Sequence, residues 1–121
     1  QGWVHTDESL LAGLIYLNPA ENNFDSGTSI FNGDGDVDRD SNKLRADFNI
    51  NGTTTEQYVQ SLKDNWSYFQ ETIRIGNVFN RLVAYDSKMF HRPNSYKTSD
   101  NTPRLSLLFF IYNFDYKYCY E

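Results

Sequence analysis

The two most apolar stretches of the chain, Leu10 to Leu17 and Arg104 to Tyr112, are each shorter than an average helix and sit beside turn formers. Asn18-Pro19 stops the first and the polar loop Arg92 to Pro103 precedes the second. Leu10 to Leu17 therefore reads as a strand buried on both faces. Arg104 to Tyr112 is apolar on both alternating faces beyond its first residues, as expected of a strand in the middle of a sandwich or barrel. The composition agrees. A chain of 121 residues with 39% hydrophobic content holds one core and one domain, and nine Tyr and nine Phe suit β-rich packing.

The rest of the chain fits around those strands. Trp3 to Asp7 reads as a short strand whose period-2 geometry turns His5 and Asp7 to one face and Thr6 to the other. Gly27 to Phe31 is another short strand. Asn32 to Thr54 is polar and rich in turn signals, namely Asn32-Gly33, Asp34-Gly35 and Asn51-Gly52, and reads as an excursion from the core. Thr55 to Tyr68 carries Tyr58, Val59, Leu62 and Trp66 near a 3.6-residue period, which predicts one amphipathic helix after a threonine cap, with Trp66 on its packing face. Glu71 to Ile75 and Val78 to Tyr85 read as strands of a hairpin turning at Gly76-Asn77. The pattern is all-β with one helix, without internal repeats, ending in the aromatic tail Phe114 to Tyr120.

A formal charge of −5 and a pI near 4.9 argue against nucleic-acid or anionic-membrane partners, which select clustered Lys and Arg. No apolar run approaches the roughly 20 residues of a membrane span. A single cysteine, Cys119, allows no internal disulfide and has no neighbouring histidine or second cysteine that would make it reactive. With no signal-peptide pattern, a cytoplasmic, reducing location is expected, and the sequons at Asn51 and Asn65 carry no weight. Met89 is the only methionine, so the single domain spanning 1–121 is expected to be the C-terminal part of a longer protein. The acidic run holding Asp34, Asp36, Asp38 and Asp40 invites a calcium reading. A calcium loop starting at Asp34 would need Gly and Glu where Arg39 and Arg45 stand, and one starting at Asn32 meets Val37 and Lys43, so a solvated loop is expected.

Two distant clusters carry the chemistry. His5-Thr6-Asp7 opens the chain, and His91 with Arg104 lies near its end. Two histidines and one carboxylate form the ligand set that holds non-haem Fe(II) on one face and leaves the opposite positions open, and an arginine offers an anionic co-substrate a bidentate partner. Each motif alone is weak. Together they use both histidines of the chain.

In this order the residues resemble the Fe(II)- and 2-oxoglutarate-dependent oxygenase superfamily, in which His-x-Asp is followed by a distant His and then an Arg. Leu14-Ile15-Tyr16-Leu17-Asn18, Ser26-Gly27-Thr28, Asn80-Arg81-Leu82-Val83 and Phe90-His91-Arg92 add to the likeness, which is greatest to the prolyl-hydroxylase-like and phytanoyl-CoA-hydroxylase-like branches, uncharacterised bacterial and phage members among them. The resemblance implies a double-stranded β-helix, or jelly roll, with one helix in an insertion. It implies iron on His5, Asp7 and His91, and the distal carboxylate of 2-oxoglutarate on Arg104, with Ser106 and Tyr16 as further contacts. It implies hydroxylation of a small molecule or peptidyl side chain with release of succinate and CO2. Members of the superfamily carry a strand and helices before His-x-Asp, whereas four residues precede His5 here. The exposed sheet edge that this would leave predicts a homo-oligomer. Two other classes compete: a non-catalytic jelly-roll domain that binds or assembles, and a cupin-like metalloenzyme that does not use 2-oxoglutarate and has no task for Arg104.

Overall fold

The computed structural model describes residues 2–33 and 55–115. Six strands and one helix follow in the order β1 (Leu11–Tyr16), β2 (Asn22–Asn32), α1 (Thr55–Ser67), β3 (Gln70–Val78), β4 (Leu82–Asp86), β5 (Phe90–Pro93) and β6 (Ser106–Ile111). They form two three-stranded antiparallel sheets, β4-β1-β6 and β3-β2-β5. The chain passes between the sheets after β1, β3, β4 and β5, so residues far apart in sequence meet in the space between them. The acidic run 34–40, most of the polar excursion, and Cys119 with the end of the aromatic tail lie outside the described residues.

Alternation along β1 decides what fills that space. Ala12, Leu14 and Tyr16 point inward and are buried, and Leu14 and Tyr16 form the core with Val83, against which Ile75 and Tyr85 pack. On the outer side, Gly13 lets the Phe109 ring lie directly across β1, since a Cβ there would meet the ring at 2.2 Å. Burying a side chain such as Leu14 contributes about 1.5–3 kcal/mol.

The expected hairpin at Gly76-Asn77 does not form. Strand β3 runs through both residues to Val78, and the turn falls at Phe79-Asn80, where Asn80 takes the left-handed conformation (φ 65°) and Arg81 N–H donates to Val78 C=O. Asparagine tolerates that conformation, so glycine was not required at the turn. Strand β4 then pairs with β1 in the other sheet. Gly27, by contrast, needs its missing side chain, because a Cβ would stand 1.8 Å from the Ile75 carbonyl oxygen across the irregular β2–β3 register.

The segment Trp3 to Asp7 makes a single β-bridge among the described residues, His5 to His91, instead of a full strand. The β6 strand, expected in the middle of a sheet, is at its edge. Leu107 on its outer side and Leu108 beside the cavity are 53% and 59% exposed there. The helix forms where its sequence pattern predicts, with Leu62 buried and Trp66 on the packing face, although Val59 is 42% exposed. The Arg92 guanidinium lies between the Trp66 and Phe31 rings, 4.6 and 5.1 Å from their centroids. Burial lowers the pKa of Arg92 from its ordinary value, while stacking on two aromatic faces holds the cation.

Candidate metal centre and anion pocket

The bridge between His5 and His91 is a reciprocal pair of backbone hydrogen bonds, 3.1 and 2.9 Å, which sets the two side chains on the same face with ring centroids 4.4 Å apart. Asp7 N–H then donates to Ser87 C=O at 2.8 Å and brings the carboxylate back over both rings. The ligand atoms of His5, Asp7 and His91 all lie within 4.8 Å of one another and could hold a metal ion.

Local chemistry determines which ring nitrogens face the centre. His5 Nδ1 lies 2.9 Å from Trp3 C=O and His91 Nδ1 lies 2.8 Å from Met89 C=O. A carbonyl only accepts, so each Nδ1 carries a proton, and in the neutral ring this leaves Nε2 as the lone-pair donor, the tautomer a metal-bound imidazole requires. Burial, and after it the neighbouring His5, lowers the pKa of His91 from its ordinary value and so favours its neutral form. The Asp7 carboxylate approaches His91 Nε2 at 3.1 Å and His5 Nε2 at 3.9 Å. Lone pairs and a carboxylate aimed at one point repel unless a cation stands among them. The donor set therefore fits a divalent metal.

The triad forms one end of a cavity of about 390 Å³ that runs between the sheets to Arg104 and Ser106 and is also lined by Thr28, Tyr85, Tyr96 and Leu108. This volume suits a small ligand. Arg104 is fixed from several sides. Its backbone N–H donates to Tyr96 C=O, and the Asn18 side chain accepts from Leu105 N–H and donates to Pro103 C=O. Its Nη2 donates to Thr28 Oγ1 at 3.2 Å, and its guanidinium carbon lies 5.4 Å from the Tyr16 ring centroid. Its Nε is buried and, among the described residues, has no hydrogen-bond partner. Among the described residues no carboxylate is within ion-pair distance of Arg104. A buried, unmatched N–H on a cation costs about 1–3 kcal/mol or more, which a bound carboxylate would recover.

Ser106 sits opposite Tyr16 in the β1–β6 register and lines the cavity with Arg104. Tyr16 does not reach it. Fully buried, its hydroxyl donates to Thr28 Oγ1 at 2.8 Å, one layer behind the cavity wall. Thr28 is thus the shared acceptor for Tyr16 and Arg104. No motif in the sequence marks it, although β2 alternation places it beside Ile30 on the inward face. Tyr85 is likewise without a motif. Its ring stands 4.6 Å from that of His91, and burial, with the Asp7 charge second, pushes its hydroxyl up to about 12, so it remains a proton donor.

In comparisons with known proteins, no family model, no curated protein and no solved structure matches the chain.

Proposed function

We propose that this protein is an Fe(II)- and 2-oxoglutarate-dependent dioxygenase on a double-stranded β-helix, hydroxylating a small molecule or a peptidyl side chain. The observation that carries the proposal is the pairing, in one cavity, of a convergent His5, Asp7 and His91 with an arginine whose buried Nε lacks a partner. His5 and His91 would bind iron through Nε2 and Asp7 through its carboxylate. When bound, iron(II) and 2-oxoglutarate supply the oxidation: O2 converts the keto acid to succinate and CO2 and inserts one oxygen atom into a C–H bond.

The protein's own residues do the rest. Arg104 holds the distal carboxylate of the co-substrate, with the Ser106 hydroxyl beside it, and Thr28 and Tyr16 keep the guanidinium in place. Tyr85, protonated beside His91, donates a hydrogen bond to a ligand at the metal end. Leu14, Leu108 and Phe110 give the cavity its apolar lining, against which the carbon skeleton of a substrate can pack. A cupin-like enzyme without 2-oxoglutarate leaves unexplained the two cations lining the cavity, Arg104 and Arg92, whose buried N–H groups lack hydrogen-bond partners among the described residues.

The same proposal makes the chain a homo-oligomer. The outer face of the β4-β1-β6 sheet presents Leu82, Leu105 and Leu107, all more than half exposed, and among the described residues no strand pairs with the outer edge of β6, which is free of charged residues from Leu105 to Tyr112. A second copy can pair antiparallel along that edge without bringing like charges together. Among the described residues no helix is long and apolar enough to cross a membrane.

The test is turnover under reducing, iron-replete conditions. Succinate formed from 2-oxoglutarate by the wild type and lost in His91→Ala supports the enzyme. Iron and 2-oxoglutarate binding without turnover, across a panel of candidate substrates, favours a binding or assembly domain.

A further inference from the structure

The segment that delivers His5 and Asp7 has little sheet around it. Its one ladder contact is the His5–His91 bridge, so the other edge of Val4 would leave a backbone N–H and C=O unmet. Val4 is fully buried, where unmet backbone groups are costly. Both groups are met by one side chain. Asn65, from α1, accepts from Val4 N–H through Oδ1 at 2.9 Å and donates from Nδ2 to Val4 C=O at a longer 3.4 Å. A carboxamide has the donor and acceptor of a peptide group, so Asn65 replaces a neighbouring strand for a single residue.

Two other helix residues grip the same segment. Trp66 Nε1 donates to Gly2 C=O at 2.9 Å, and Tyr58 packs edge-on against Trp3 with centroids 6.2 Å apart. Asn65 is 1% exposed, which is unusual for an asparagine in a helix and is explained by this contact. None of the three lines the cavity.

We propose that Asn65 is a positioning residue for the metal centre: by clamping Val4 it fixes the main chain entering His5, so that helix α1 sets metal affinity without touching the metal. The inference rests on the metal reading of His5, Asp7 and His91. It differs from simple helix packing in what it makes sensitive. Loss of packing lowers stability, whereas loss of the clamp shifts one ligand relative to the other two; partners bonded directly to a ligand are worth roughly 10–100-fold in metal affinity, and a clamp one residue before a ligand should reach the lower end of that range.

The experiment is titration with Co(II) alone, read by its visible d–d absorption, in wild type, Asn65→Asp, Asn65→Leu, Trp66→Phe and Leu62→Ala, with amide hydrogen exchange at Val4 alongside. Asn65→Asp keeps the acceptor for Val4 N–H but sets a carboxylate against Val4 C=O. It should weaken Co(II) about tenfold or more, alter the band shape and speed Val4 exchange while the helical circular dichroism persists. Trp66→Phe should weaken binding only a few-fold. Leu62→Ala, which removes packing and leaves the clamp, should keep wild-type affinity. Folded Asn65→Asp with wild-type affinity and band shape overturns the inference, as does an equal loss in Leu62→Ala. Should Asn65→Leu fail to fold, Val4 exchange in the wild type still decides: a rapidly exchanging amide contradicts the clamp. A wild-type chain that takes up no Co(II) overturns the metal reading and this inference together, whereas wild-type uptake matched by Asn65→Asp overturns this inference alone.

Discussion

The two ends of the cavity are built by different means. At the metal end each histidine is oriented by the carbonyl two residues before it, Trp3 for His5 and Met89 for His91, and Asp7 is two residues from His5. At the arginine end almost nothing is local: Arg104 depends on Thr28, and its flanking residues depend on Asn18. The metal end is thus a short-range motif brought together by one strand bridge, while the anion end is a product of the whole sandwich. Variants should separate the two.

The largest effect is expected from His91→Ala, which removes a ligand. Co(II) or Fe(II) affinity should fall by more than the roughly 10–100-fold that follows loss of an outer partner, and isothermal titration measures it. Arg104→Ala should leave metal affinity unchanged and weaken 2-oxoglutarate by roughly ten- to a hundredfold, the equivalent of about 1.5–3 kcal/mol for hydrogen bonds to a charged group. Equal loss of metal binding in that variant would break the division between the ends.

Thr28→Val keeps shape but removes the acceptor shared by Tyr16 and Arg104. Leaving buried donors unmet should cost about 1–3 kcal/mol in denaturant unfolding and weaken the co-substrate but not the metal. Acid should act on the metal end instead. His91 is held neutral below its ordinary value of 6.5, chiefly by burial. The unfolded chain takes up that proton more readily than the fold does. The stability of the neutral, buried imidazole is therefore intact above about pH 6.5 and is lost as pH falls through the lower folded value. Unfolding curves of the metal-free protein at several pH values should show this slope, and His91→Gln should flatten it. Tyr16→Phe should have the smallest effect, about 1 kcal/mol of stability with modest weakening of 2-oxoglutarate, because the hydroxyl acts through Thr28.

The same contrast explains how much the sequence revealed. The all-β pattern with one helix, the boundaries of α1 and the core strand β1 follow from apolar periodicity, and the His5, Asp7 and His91 cluster follows from residue types and spacing. The hairpin at Gly76-Asn77 failed because two sites a few residues apart could turn, and Asn80 took the left-handed position while Gly76 stayed in the strand. The edge position of β6 was hidden because an apolar run looks the same whether or not a neighbour covers it. Thr28, Asn18 and Asn65 were hidden for a common reason. Each is a small polar residue whose task is a hydrogen bond to a partner more than 60 residues away, and neither propensity nor period encodes that pairing.

The most direct measurement is an anaerobic Fe(II) titration with and without 2-oxoglutarate, following the visible charge-transfer band of the chelated keto acid in wild type and Arg104→Ala. A band that needs both components and requires higher 2-oxoglutarate in Arg104→Ala is the expected result. Absence of the band in wild type that binds Fe(II) would contradict the assignment of Arg104 to a co-substrate.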